Sequence, residues 1–314
     1  MPSVIKAKQS IPLSLMEFYE KHKKILIRRN LGGLGDIFMH RMIFEDFKHL
    51  MPECHLTFAC PEQYFDAVFD HPWIDKVVDS KYVNENEFFI TYNTTEACRE
   101  YELEHAPNIN KHRSDIWANH CGVELKRHDM CFRLSEKEIN WGKNFLGKIA
   151  NHKKIVMIAP ISAMSSKNLT PEQIQPVIDT LSKDYFVFGL HDNKLHNYNI
   201  VNIKASSIRQ FISLINASDY AITADTAAFH CAGGLQKPIV GVFGWADGKV
   251  YSKYYSKSII VQKHRDDDPL WTCGPCFKFT SCCKVDKSIT RKPCITEITS
   301  NMILDGFNKM VSIY

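Results

Sequence analysis

The segment Asn30-Leu31-Gly32-Gly33-Leu34-Gly35-Asp36 combines a permissive backbone with one carboxylate. It follows an apolar run and precedes an amphipathic stretch over residues 37–50, a pattern that predicts a strand, a glycine turn and a helix. Glycines let another molecule approach the backbone closely. We expect Asp36 at or beside the helix N-cap, where its charge would repel a phosphate. The turn therefore suits a neutral acceptor with a hydroxyl group, and a purely structural cap is the alternative.

In the second half, two segments that follow predicted strands have the chemistry of an anion site. Ligands of open parallel sheets bind beyond the carboxyl ends of the strands. Lys167 ends a serine-containing loop and could bind a diphosphate as a point charge, or it is an exposed loop lysine. Asp225, Thr226 and Ala227 lead into a helix whose first N–H groups could bind an anion. His230 lies in the first turns of that helix, where a packed histidine is the structural alternative.

A third strand end carries Gly244 and Trp245, and the tryptophan could stack on a flat or sugar-like ring. Farther on, cysteines cluster in a glycine- and lysine-bearing loop, and Cys273 and Cys276 have the spacing of a metal knuckle. With Cys282 and Cys294 they could hold a structural zinc, although the later spacings match no standard finger. No Asp-x-Asp pair follows an apolar strand, so we expect the chemistry to need no divalent metal and no cofactor.

The elements that must position these residues alternate between strand and helix in both halves of the chain, which predicts βαβ units and parallel sheets. Polar residues 151–154 read as a linker. We therefore predict an α/β fold with two facing Rossmann-like domains, at residues 1–150 and 151–314. Residues 84–130 are polar and give no clear pattern. The last helix, over residues 296–311, is long enough to cross back onto the first domain. Three helix starts have strong capping residues, namely Ser135, Thr170 and Ser207.

Composition bounds the class of protein. With 314 residues, 45% hydrophobic residues and 24% charged residues, the chain fits an ordinary globular protein of two domains. No apolar run approaches the ~20 residues of a membrane helix, and the N-terminus lacks the apolar core of a signal peptide. Eleven cysteines without an export signal indicate reduced thiols in a cytoplasmic protein. The net charge of +4 permits an anionic partner without requiring one.

Gly33-Leu34-Gly35-Asp36, Asp225-Thr226-x-x-x-His230 and residues 237–244 together resemble glycosyltransferase family 9. These are the heptosyltransferase-like enzymes of bacterial lipopolysaccharide assembly, with two Rossmann-like domains in the GT-B fold. The resemblance spans about residues 25–310. Ala227 stands where the family usually has glycine, and Asn168-Leu169 replaces an aromatic-proline pair, so the donor stays open.

The resemblance implies that Asp36 is the general base and that Lys167, Thr226 and His230 contact the diphosphate and sugar of the donor. Asp225, Ala227 and Gly244 then belong to the donor side, and Gly33, Gly35 and His40 to the acceptor side. The implied reaction is inverting, metal-independent transfer from a nucleotide-diphosphate sugar to a hydroxyl group.

Two alternatives stay open. One is a GT-B nucleotide-sugar epimerase, and the other is a non-catalytic sugar- or nucleic-acid-binding protein. A glycan is the expected acceptor, with a protein or a hydroxylated DNA base as alternatives. The expected location is the cytoplasm, either free or peripheral to the inner face of the membrane.

Overall fold

A computed structural model describes residues 22–191, 195–264, 274–277 and 293–314. The first half contains these strands and helices: β1 (Lys24–Arg28), α1 (Leu34–His40), α2 (Phe44–Leu50), β2 (His55–Cys60), β3 (Lys76–Asp79), β4 (Ile90–Asn93), α3 (Ala97–His105), α4 (Arg113–His120) and α5 (Glu136–Ala150). The second half contains β5 (Ile155–Ala159), α6 (Pro171–Leu181), β6 (Phe186–Leu190), β7 (Val201–Ile203), α7 (Ile208–Ala217), β8 (Tyr220–Ala224), α8 (Ala227–Gly234), β9 (Ile239–Val242), α9 (Gly248–Tyr251), β10 (Ser258–Val261), α10 (Pro293–Thr296) and α11 (Ser300–Ile313).

The described strands form two sheets, and each sheet belongs to one half of the chain. The first sheet has the order β3-β2-β1-β4 and the second has the order β10-β9-β8-β5-β6-β7. The pairings within both sheets are parallel. Parallel strands need crossover helices, and these cover the apolar sheets. The predicted α/β fold with two Rossmann-like domains is therefore confirmed.

Local sequence sets most helix starts. The hydroxyl of Ser135 accepts the Glu138 amide at the start of α5, and Thr170 caps α6 in the same way, with Pro171 as its first residue. Ser207 caps α7. These side chains satisfy amides that a helix leaves without an internal partner.

The amphipathic stretch over residues 37–50 is not one continuous helix. It divides into α1, a 3-10 turn at Arg41–Ile43, and α2. After β2, a 3-10 helix covers Glu62–Ala67. In the polar segment for which no pattern could be assigned, the structure contains β4 and α3.

Helix α5 packs on α7, which covers the second sheet. A Cβ atom at Gly142 would lie 2.5 Å from the carbonyl oxygen of Ser213, so glycine is what allows this close approach. Arg209 of α7 also pairs with Glu138, with 2.6 Å between Nε and Oε1. We expected a division at residue 150, which assigns α5 to the first domain, but its packing is on the second.

The C-terminal helix α11 lies on the second sheet, and its expected crossing to the first domain is wrong. Its apolar residues Ile303, Phe307 and Met310 are buried in the core of the second domain. A Cβ atom at Gly306 would lie 2.6 Å from a methyl group of Val261, the last residue of β10. Burial of this stripe on β9, β10 and α6 keeps the helix on its own domain. No helix among the described residues is long and apolar enough to cross a bilayer.

Candidate active site

A cavity of about 590 Å³ lies between the two domains, at the carboxyl ends of both sheets. Its volume is in the range of sites for small molecules. From the first domain its lining includes Asp36 and Arg113, and from the second it includes Lys167, Thr226 and His230. Groups that lie far apart in the sequence therefore share one cavity.

The two domains meet at the cavity through α1 and α8, which pack against each other. A methyl group at Gly35 would lie 2.9 Å from Cδ2 of His230 and 3.4 Å from the Cα atom of Ala227. A larger residue at Gly35 or at Ala227 would separate the two helices. The first turn of α1, which contains Asp36, therefore faces the N-terminus of α8.

Asp36 is the third residue of α1, and Gly33 is the N-cap. The expected position at the N-cap was close, since the carboxylate still accepts the Gly33 amide at 3.2 Å. Gly32 has φ of +123°, a conformation that glycine adopts without strain. The turn thus places the Asp36 carboxylate in the lining of the cavity.

Two arginines hold the Asp36 carboxylate, and sequence reasoning missed this role for both. Arg29 Nη2 lies 3.0 Å from Oδ2, and Arg113 Nη1 lies 2.8 Å from Oδ1. Arg29 is itself fixed, because its Nη1 donates to the Thr94 carbonyl at 3.3 Å and its guanidinium lies 4.9 Å from the ring centroid of Trp117.

Burial would raise the pKa of the Asp36 carboxyl, but the charges of Arg113 and Arg29 dominate and hold this pKa well below its usual range. Asp36 is therefore ionised throughout the physiological range. It can accept a hydrogen bond and a proton, and it is a weak base.

His40 does not reach the cavity, contrary to its assignment to the acceptor side. Its ring is fully buried, and its centroid lies 3.7 Å from that of Trp117 with the two planes tilted by 30°. Its Nε2 hydrogen-bonds the Thr94 hydroxyl at 2.9 Å and its Nδ1 lies 2.8 Å from the Asp36 carbonyl oxygen. Burial and the neighbouring Arg29 lower its pKa well below the usual value, so the ring is neutral. It supports the turn of α1 from behind.

On the second domain, Thr226 is the N-cap of α8 and accepts the Ala228 amide at 3.1 Å. Ala227 is the first residue of the helix, and its small side chain leaves the helix terminus open to the cavity. This is the arrangement in which a helix N-terminus binds an anion.

Asp225 connects the two remaining donor-side residues. Its Oδ2 lies 2.7 Å from Lys167 Nζ, and its Oδ1 lies 3.9 Å from His230 Nε2. Burial lowers the pKa of His230 to about 4, so the imidazole is neutral at pH 7. Its Nδ1 hydrogen-bonds the Tyr255 hydroxyl at 2.8 Å, which fixes the ring. Asp225 thus lies between the Lys167 ammonium and the His230 imidazole and holds both beside the helix terminus.

Gly244 and Trp245 differ from expectation. Neither lines the cavity. Trp245 is 1% exposed, and Lys167 Nζ lies 4.9 Å from its ring centroid, so the ring supports the lysine and is closed to a sugar. A Cβ atom at Gly244 would lie 3.2 Å from Ile295, which indicates that this glycine serves packing on α10.

The cysteine loop falls mostly outside the described residues, which exclude Cys273 and Cys282. Cys294 is buried on α10, and Cys276 is half-buried, with its amide donating to the Trp245 carbonyl at 2.9 Å. In the part of the chain that the structure describes, no group of three or more His, Cys, Asp or Glu side chains could hold a metal ion.

Arg113 lies in the polar stretch over residues 84–130, to which the sequence pattern assigned neither structure nor function. The structure places Arg113 at the first position of α4, in the cavity lining. It contacts the Glu102 carboxylate and the Tyr251 ring, and nothing in the local sequence pattern marks such contacts between separate segments.

Three comparisons with known proteins bear on this site. Residues 193–280 match the family model "Glycosyltransferase family 9 (heptosyltransferase)". The matched range includes Asp225, Thr226 and His230. The matched residues lie in the second half of the chain and make up less than half of its length. The chain matched none of the curated protein sequences with which it was compared.

Solved structures of low sequence identity share the GT-B fold over nearly the whole chain. ADP-heptose LPS heptosyltransferase II of E. coli is 13% identical, with a TM-score of 0.68, and the match covers 92% of this chain and 99% of that one. A family 9 glycosyltransferase of Veillonella parvula DSM 2008 is 15% identical, with a TM-score of 0.71 and coverage of 94% and 99%. The E. coli heptosyltransferase WaaC with ADP-2-deoxy-2-fluoro heptose is 10% identical, with a TM-score of 0.58 and coverage of 91% and 99%.

Proposed function

We propose that the enzyme transfers a sugar, with inversion, from a nucleotide-diphosphate sugar to an acceptor hydroxyl group. The observation that carries this proposal is the meeting of α1 and α8 at one cavity. This meeting opposes the Asp36 carboxylate of the first domain to the anion-binding helix terminus and Lys167 of the second. The negative carboxylate can accept the proton of the attacking hydroxyl group. The positive lysine and helix terminus can stabilise the departing diphosphate.

The donor is held by the second domain in this mechanism. The N–H groups at the start of α8 and the Lys167 ammonium take the diphosphate, and they neutralise the charge that develops on it. Leu190, Ile208 and Phe211 line the cavity beyond β6 and β7 and provide an apolar wall for the nucleoside. The solved heptosyltransferases with the same fold include an enzyme named for ADP-heptose, which makes ADP-heptose the first donor to test.

The acceptor oxygen attacks the anomeric carbon on the face opposite the diphosphate. A carbon–oxygen bond forms, the bond to the diphosphate breaks with its electron pair, and the hydroxyl proton passes to Asp36. A single displacement of this kind inverts the anomeric centre. Because Asp36 has a lowered pKa, we infer that it first orients the hydroxyl and takes the proton late, after the forming bond has made the oxygen acidic.

Asp36→Asn tests this function. The variant keeps the size of the side chain but removes the proton acceptor, so turnover should fall by about 10²–10⁴-fold. Donor affinity should persist, since the donor lies on the other domain. The variant also removes the charge partner of the buried Arg29, and we expect a loss of about 1–3 kcal/mol of stability.

Asp46→Asn is the matched control. Asp46 is another buried carboxylate of the first domain, which accepts the amides of Lys126 and Arg127 at 2.6 and 2.8 Å and is not among the residues that line the cavity. It should lose stability and keep normal transfer. Released nucleotide from ADP-, GDP- and UDP-sugars, scored with glycan, protein and hydroxymethylated-DNA acceptors, gives the rate. An Asp36→Asn variant that binds donor and transfers at the rate of Asp46→Asn would refute the mechanism.

A further inference from the structure

Arg113 uses both edges of its guanidinium inside the protein. Nη1 donates to Asp36 Oδ1 at 2.8 Å, whereas Nε and Nη2 donate to the two carboxylate oxygens of Glu102 at 2.7 and 3.0 Å. The second contact is the bidentate geometry that a planar guanidinium makes best. Arg113 therefore has one edge fixed to Glu102 and presents the other to Asp36.

Glu102 lies on α3 and its side chain is 1% exposed. A carboxylate at such a depth requires charge and hydrogen-bond partners. Arg113 supplies the charge, and the Tyr251 hydroxyl donates a further hydrogen bond to Oε1 at 3.2 Å. Nothing in the proposed chemistry needs Glu102 itself, so its burial beside the site calls for an explanation.

Tyr251 comes from the second domain, at the end of α9, whereas Asp36, Glu102 and Arg113 belong to the first. Its ring is 1% exposed, and the Arg113 guanidinium lies 5.2 Å from the ring centroid. The tyrosine thus touches the arginine with its face and the glutamate with its hydroxyl. Both contacts exist only while the two domains are together.

We propose that Arg113 is the positioning residue of Asp36 and that Glu102 and Tyr251 hold it in place, so that the alignment of Asp36 depends on contact between the domains. This inference rests on the proposed function, in which Asp36 accepts the proton. Arg113 fixes the Oδ1 oxygen, and Arg29 with the Gly33 amide fixes Oδ2. The plane of the Asp36 carboxylate is then fixed before a substrate binds. It is aligned correctly only when Tyr251 contacts Glu102 and Arg113.

Tyr251→Phe removes one hydroxyl and keeps the ring against Arg113. We expect kcat to fall about tenfold while the donor dissociation constant stays unchanged, because a misplaced reacting group affects the chemical step more than donor binding. Glu102→Gln removes the bidentate acceptor, and we expect a fall in kcat of about tenfold to a hundredfold, again with unchanged donor affinity.

The two changes should not be additive. If the hydroxyl acts through the glutamate, Tyr251→Phe should lower kcat by less than about twofold further in the Glu102→Gln background. Tyr254→Phe is the matched control, because the Tyr254 hydroxyl also crosses between the domains but donates to Asp115, at 2.7 Å, and not to Glu102. It removes the same kind of bond and should leave kcat within about twofold of wild type.

The measurements are kcat and the donor dissociation constant for the nucleotide sugar that gives the highest rate in the ADP-, GDP- and UDP-sugar panel, with Asp36→Asn assayed beside them. The inference is overturned if Tyr251→Phe and Glu102→Gln keep the kcat of Tyr254→Phe. It is equally overturned if their donor affinity weakens in parallel with kcat, because Tyr251 would then bind substrate directly. Normal transfer by Asp36→Asn would instead refute the proposed function, so the two failures are distinguishable.

Discussion

The pair between Lys167 and Asp225 allows donor binding to be separated from protein stability. Lys167→Met removes the cation that we place on the diphosphate and leaves the Asp225 carboxylate without its partner at 2.7 Å. The two side chains are 16% and 6% exposed, so the pair is largely buried. One change should therefore have two effects of different origin.

The loss of stability and the loss of donor affinity in Lys167→Met can both be estimated. Breaking a fully buried ion pair costs about 3–5 kcal/mol, and since Lys167 retains some solvent contact we expect a loss of about 2–3 kcal/mol in the free energy of unfolding. A charge-assisted contact is worth about 1.5–3 kcal/mol, which corresponds to roughly tenfold to a hundredfold in affinity for a nucleoside diphosphate. The double change of Lys167→Met with Asp225→Asn removes both charges. It should recover most of the lost stability and none of the lost affinity.

Urea unfolding gives the stability, and calorimetry with ADP, GDP and UDP gives the affinity. Lys253→Met is the control, since Lys253 pairs with Asp115 at 3.1 Å but is 48% exposed. It should cost less than about 1 kcal/mol and leave nucleotide affinity unchanged. If affinity returns together with stability in the double variant, the loss in Lys167→Met came from a damaged fold. If Lys167→Met binds all three nucleotides normally, Lys167 is not at the donor site.

Two further predictions concern contacts between the domains. Gly35→Ala should lower stability by about 1–3 kcal/mol and reduce turnover, because its methyl group would lie 2.9 Å from His230 and force α1 away from α8. Thermal melting and kcat check this prediction. Gly147→Ala is the control, because its methyl group meets nothing within 4 Å and should cause neither loss. The second concerns His112, which is fully buried and whose pKa is lowered to about 3 by burial. The unfolded chain takes up this proton below about pH 6.5 and the folded protein does not, so stability should fall as the pH drops, by about 2 kcal/mol between pH 7 and pH 5 from this histidine. His112→Asn keeps an oxygen that can cap α4 and should remove that share of the pH dependence in urea unfolding, and an unchanged slope would contradict the assignment.

The predictable part of the fold was local. Ser135, Thr170 and Ser207 each cap a helix as expected, because a cap is decided within four residues of sequence. Strands such as Lys76–Asp79 and Tyr220–Ala224 lie at apolar runs between turn residues, the pattern from which alternating strands and helices were predicted. These signals were sufficient for the two-domain α/β fold, since alternating elements leave few ways to build parallel sheets.

The unpredictable part was non-local. Asp36 and Arg113 are 77 positions apart in the sequence, and no periodicity relates a turn of one segment to the first residue of a distant helix. The same limit explains His40 and Trp245, whose residue types suit a binding site but whose side chains pack inside the protein. The last helix was assigned by its length, whereas its apolar stripe and Gly306 decide where it packs.

Several charged side chains around the cavity already form ion pairs before a substrate binds. Asp36 has Arg29 and Arg113, Glu102 has Arg113, and Asp225 has Lys167. A site that must act on a diphosphate and a hydroxyl in one step gains from such pairing, because groups fixed before binding need no reorganisation when charge moves in the transition state. The arrangement lowers the basicity of Asp36 and keeps it ionised and oriented in return. A carboxylate of this kind is suited to a reaction in which the leaving diphosphate drives the step and the proton is transferred last, which is the order that we propose.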